Sequence, residues 1–149
     1  MILPFETINY TTRFSADEAI SQLKPAVGDS DWWGSSGKAF VGYVSSGDHS
    51  FRVHVRMGWG RRGFPIHMAG KLIPDEIGAK VTVKLWPDFI SSAISVLILG
   101  FPFWTYFTRG DANSLIFTLI AGALLAGIYL YEVAEAENRL KEIIPPVLP

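Results

Sequence analysis

The chain has 149 residues, no cysteine and a net charge of −1, with 13% aromatic residues and a mean hydropathy of +0.26. The missing cysteines exclude disulfides, thiol catalysis and Cys-ligated metals. The near-zero charge hides an uneven spread: residues 38–87 carry eight Lys and Arg against three Asp and Glu, whereas residues 1–37 carry two against five.

The opening MILPFETINY lacks a basic stretch followed by an apolar run, so no cleavable signal peptide is expected. Residues 4–14 read as a strand. Ser15-Ala-Asp-Glu18 is a capping box, and it predicts a short helix with Ala16, Ala19, Ile20 and Leu23 on one face, ended by Pro25. Residues 25–37, rich in Gly, Ser and Asp around Trp32 and Trp33, read as a loop.

Four strands are predicted next, at 38–45, 50–57, 65–73 and 79–86, with turns at 46–49 and 74–78. The alternation is clear. Phe51, Val53, Val55 and Met57 share one face, and Arg52, His54 and Arg56 the other; Val81, Val83 and Leu85 oppose Lys80, Thr82 and Lys84. A period of two predicts a sheet with one apolar and one wet face, the apolar one partly covered by the short helix.

Residues 89–108 and 112–131 are two runs of 20 residues without a charge. At about 1.5 Å per residue each reaches about 30 Å, the thickness of a bilayer's hydrocarbon core. Two soluble helices apolar on every face would need more covering protein than the chain supplies. Trp86, Trp104, Tyr106, Tyr129 and Tyr131 fall where interfacial aromatics belong. The connection is so short that the helices form an antiparallel hairpin with both chain ends on one side.

That connection holds only Arg109, whereas Lys80, Lys84, Arg139 and Lys141 flank the spans on the other side. The positive-inside bias therefore predicts an inner (plasma) membrane protein with both termini cytoplasmic. Pro102, with Gly100, is placed to kink the first span. Gly122 with Ala126, and Ala123 with Gly127, form overlapping small-residue pairs that let helices approach closely. They serve either packing within the hairpin or self-association. The stretch 132–140 is either a solvated helix end or a helix docked on the sheet through Val133, Ala136 and Leu140.

The predicted class is α+β: a small, mostly antiparallel β domain with one short helix (1–87), a transmembrane hairpin (88–134) and a cytoplasmic tail (135–149). The pattern Phe40-x-Gly42-x-Val44, Phe51-x-Val53, Pro65, Gly70-x-Leu72, Gly78-x-x-Val81-x-Val83 and Leu85-x-Pro87 precedes the apolar pair. It resembles a group of small bacterial membrane proteins with a short β domain ahead of two transmembrane helices. The likeness covers residues 38–131 and implies architecture only. It brings no activity, substrate or cofactor. Pro65 stands one residue further from Gly70 than the pattern expects, a difference that a bulge absorbs.

Chemistry-bearing motifs are few. His49, His54 and His67 match no metal-ligand spacing, and although His54 and His67 are expected as cross-strand neighbours, no acidic residue is expected on their face. The serines lack a nucleophile motif. Gly58-Trp-Gly60-Arg-Arg-Gly63 fits a hairpin tip better than a phosphate loop. Catalysis, metals and cofactors are therefore not expected.

The strongest signal is the basic face: Arg52, Arg56, Lys71, Lys80 and Lys84, with Trp59, Arg61 and Arg62 in the neighbouring loop. It predicts a non-enzymatic, membrane-anchored adaptor or accessory subunit binding a protein partner or anionic lipid. The alternatives are a structural component of a transport or envelope-assembly complex, and an enzyme or carrier for a lipid-like ligand. Such charges also solubilise and protect sheet edges. Nucleic acid is not expected as a partner, because residues 1–87 balance ten basic against eight acidic residues.

Overall fold

A computed structural model of the chain describes residues 6–28, 38–55 and 66–147. Its elements are β1 (Glu6–Thr12), α1 (Ala16–Leu23), β2 (Val27–Gly28), β3 (Phe40–Ser45), β4 (Ser50–Val55), β5 (Ile66–Asp75), β6 (Gly78–Pro87), α2 (Phe89–Arg109) and α3 (Ala112–Ile143). The strands form one six-stranded sheet in the order β1-β6-β5-β4-β3-β2. Every pairing is antiparallel except the short parallel one between β2 and β3. The α+β class and the helical hairpin are as the sequence predicts.

The capping box forms as read: the Glu18 amide donates to Ser15 Oγ, and the Ser15 amide donates to Glu18 Oε2 at 2.9 Å. Pro25 falls in a 3-10 turn, Lys24–Ala26, directly after α1. Val27 and Gly28, expected in a loop, instead pair with Phe40 and Val41. Two residues are too few to show a period, so only tertiary pairing reveals this strand. The β5–β6 turn is also tighter than expected, because Pro74 pairs with Ala79 and Asp75 with Gly78.

On the apolar face, Phe40, Phe51, Val53, Met68, Leu72, Val81, Val83 and Leu85 are buried against Ala19, Ile20 and Leu23 of α1. Gly70 is required there. A Cβ at that position would lie 2.1 Å from Phe51 Cζ, so the phenyl ring fills the space a side chain would occupy.

β6 runs through Pro87 to Asp88, which caps α2 by accepting from the Ile90 and Ser91 amides. Gly110, in the left-handed conformation at φ 69°, ends α2, and Asp111 caps α3. Both helices are long and apolar enough to cross a membrane, and their apolar stretches are almost wholly exposed, only 6% and 0% buried. That exposure is the reverse of a helix pair at the centre of a soluble core. Hydroxyls within them donate to carbonyls of the preceding turn, as Ser95 does to Ser91 and Thr118 to Ser114. These hydroxyls are thereby satisfied without water.

α3 has 32 residues, so at about 1.5 Å each it outruns the hydrocarbon core by about 18 Å. Its end is docked, the second of the two sequence alternatives. Val133, Ala136, Leu140 and the following Ile144 are buried in the same cluster as the sheet and α1. Their spacing of three and four residues puts them on one helix face. Beyond the helix, the Val147 amide donates to the Thr11 carbonyl at 2.7 Å and Pro146 bridges Thr12, closing part of the free edge of β1.

Candidate functional site

The wet face is organised by register. Nearest α2 lies a row of Val41, His54, His67 and Trp86. Next come Tyr43, Arg52, Ala69, Lys84 and Thr7, then Ser45, Ser50, Lys71, Thr82 and Asn9. Ile73, Lys80 and Thr11 make the last full row. Arg52, Lys71, Lys80 and Lys84 therefore share one face, as the sequence predicts, and each is exposed. Among the described residues none of the four has an ion-pair partner. Thr82, between Lys71 and Asn9, donates to Asn9 Oδ1 at 2.9 Å. Arg56, Trp59, Arg61 and Arg62 lie outside the described residues, as do Pro65 and Met57.

The row beside α2 has its own chemistry. His54 and His67 are cross-strand partners with ring centroids 5.3 Å apart, and His67 stacks on Trp86 at 5.9 Å. His67 Nε2 lies 3.3 Å from Asp88 Oδ1, which corrects the expectation that no carboxylate meets this face. Asp88 belongs to the sheet–helix junction and to no strand, so strand parity could not assign it. Its signal was present all the same, since an Asp directly ahead of an apolar run is an N-cap.

Burial of His54, followed by the neighbouring His67, holds its pKa below the ordinary histidine value against the opposing pull of Asp88. Burial alone would raise Asp88. The His67 hydrogen bond and the Ser91 and Ile90 amides outweigh it and hold the carboxyl below its usual range. Asp88 thus ties β5 to the first turn of α2 through one carboxylate. Among the described residues, no group of three or more His, Asp and Glu is placed to hold a metal ion.

The small residues of α3 divide between two surfaces. Gly122 and Ala126 line an open, mostly apolar cleft of ≈ 380 Å³ against α2, with Ser95 and Leu99 on its other wall. A Cβ on Gly122 would sit 3.7 Å from Leu99 Cδ2, an ordinary contact. Ala123 and Gly127 instead line an outer groove with Ile128 and Tyr131, and Gly127 faces open space. Spacing alone could not separate the two pairs.

No family model, curated protein or solved structure matches this chain.

Proposed function

We propose that this chain is a non-enzymatic membrane-anchored adaptor or accessory subunit. A two-helix hairpin holds it in the inner (plasma) membrane with both termini cytoplasmic, and the basic sheet face engages a protein partner or anionic headgroups. One observation carries the reading: four exposed cations share a sheet face on which, among the described residues, none is neutralised. A desolvated partner carboxylate or phosphate gains more from such a cation than from one already paired. The orientation rests on the Lys and Arg bias around the spans.

A second reading has the outer groove of α3 as its support. Ala123 and Gly127 leave it open to a neighbouring helix, as in a structural component of a transport or envelope-assembly complex. Native mass spectrometry of the protein released from its own membranes separates the two. Under the adaptor reading, Arg52→Glu with Lys71→Glu strips a co-purifying protein or anionic lipid, and Gly127→Leu leaves it bound. The reverse pattern would favour the structural component, and indifference to both changes would remove both readings.

A further inference from the structure

We propose that the occupant of the basic face is an acidic stretch of protein standing clear of the bilayer, and not the lipid headgroups below it. This rests on the adaptor reading above and names its partner class.

The reason is height. β1, antiparallel to the β6 strand that leads into α2, and the end of α3 both run away from the hairpin. Glu6 pairs with Leu85 at the hairpin end of the sheet, Tyr129 packs against the same core as the sheet, and at the far end Thr12 bridges Pro146 while the Val147 amide donates to the Thr11 carbonyl. Glu6 to Thr12 covers about 20 Å at about 3.3 Å per residue, and 129 to 144 covers about 22 Å at about 1.5 Å. The two lengths agree, so the strands lie nearly along the helix axis and the sheet stands upright on the hairpin.

Height above the membrane can then be read from the register. Asp88 caps α2 and marks the hydrocarbon boundary, above which headgroups extend about 5–8 Å. Lys84, and Arg52 in its row, lie about 10 Å above Pro87 along the strands. Lys71, level with Thr82, lies at about 17 Å, and Lys80 at about 23 Å. The screening length at physiological salt is about 8 Å. Lys84 and Arg52 can reach headgroups with extended side chains. Lys71 and Lys80 stand one to two screening lengths above them, where an anionic surface attracts little. A ligand touching all four cations must itself rise up the face, as a polypeptide does and a lipid headgroup does not. Tyr43 and Ile73, 67% and 49% exposed among these cations, offer it apolar contact.

The chain has no cysteine, so one label can be placed cleanly. Ser45→Cys puts a fluorophore in the row of Lys71. The full-length labelled protein is placed in nanodiscs of phosphatidylcholine, with and without phosphatidylserine, carrying a headgroup-attached quencher. The probe is a synthetic glutamate-rich peptide containing one tyrosine. The expected result is salt-sensitive peptide binding that is independent of phosphatidylserine, without quenching of the label. Lys71→Glu with Lys80→Glu should weaken binding by about tenfold, the sum of two modest exposed pairs. Lys71→Gln with Lys80→Gln serves if the reversed protein does not fold. Peptide binding unaffected by these changes overturns the proposal. Quenching of the label in phosphatidylserine discs also overturns it, while keeping the adaptor reading in its lipid form. Neither binding nor quenching removes both.

Discussion

Replacing Leu140 with alanine tests whether the end of α3 belongs to the core of the sheet. Leu140 is 1% exposed, in one cluster with Leu72, Val81 and Ile20. Removing three carbons forfeits about 2.4 kcal/mol of transfer free energy at about 0.8 kcal/mol per methylene. The cavity left behind brings the loss to about 3–4 kcal/mol, within the usual range for such truncations. At about 1.4 kcal/mol per factor of ten, that is a hundredfold or more in the opening equilibrium. The assay is amide hydrogen exchange of the full-length protein in nanodiscs, read at Leu72, whose amide donates to the His49 carbonyl at 2.8 Å. Leu130→Ala, on the same helix but 64% exposed, is the control. It should shift exchange by less than about threefold, because lipid tails are as apolar as the leucine they would touch. If Leu140→Ala also stays within about threefold, the docked helix contributes nothing to the sheet and the reasoning fails.

Three further outcomes are expected. A fragment of residues 1–87 lacks Val133, Leu140 and Ile144, together worth at most about 6–8 kcal/mol, which rivals the whole stability of a small domain. It should show no cooperative unfolding and a collapsed amide spectrum, and fusing residues 129–147 to its end through a flexible linker should restore both. Gly70→Ala should cost about 1–3 kcal/mol in denaturant unfolding through overpacking against Phe51, and Phe51→Leu in the same chain should recover part of it. Simple additivity of the two changes would refute the close approach. For pH, the depressed value of His54 means that the unfolded chain binds more protons there. Its contribution is therefore complete above about pH 6.5 and is lost as pH falls through the lower folded value. Thermal melts from neutral toward acid pH should decline, and His54→Gln should flatten that limb. The depressed Asp88 adds a separate loss that begins only below about pH 4.

Much of this architecture was legible because its signals are local and repeated. The alternation in β4 and β6 sorted core from wet residues, and the register later placed each on the expected side. Charge-free length marked the two helices. The stripe of Val133, Ala136 and Leu140 is also visible, but a helical stripe does not say what it faces, so the sequence leaves a solvated end and a docked one both open. Pairing at a distance was the illegible part. Nothing local in residues 6–12 announces β6 as their partner, and β2 is too short to carry a period. The basic face emerged from parity, whereas the His67–Asp88 tie required knowing that β5 begins level with the end of β6.

The docking of α3 also bears on the order of events during synthesis. The first strand is made early, yet the floor of its core awaits Ile144, and part of its edge awaits Pro146 and Val147. Both apolar spans must leave the ribosome before those residues do. The N-terminal region therefore cannot finish folding ahead of the hairpin, contrary to the usual N-to-C progression of domains. Chains stalled before Leu140 should still be open to protease, with their maturation gated by delivery to the membrane.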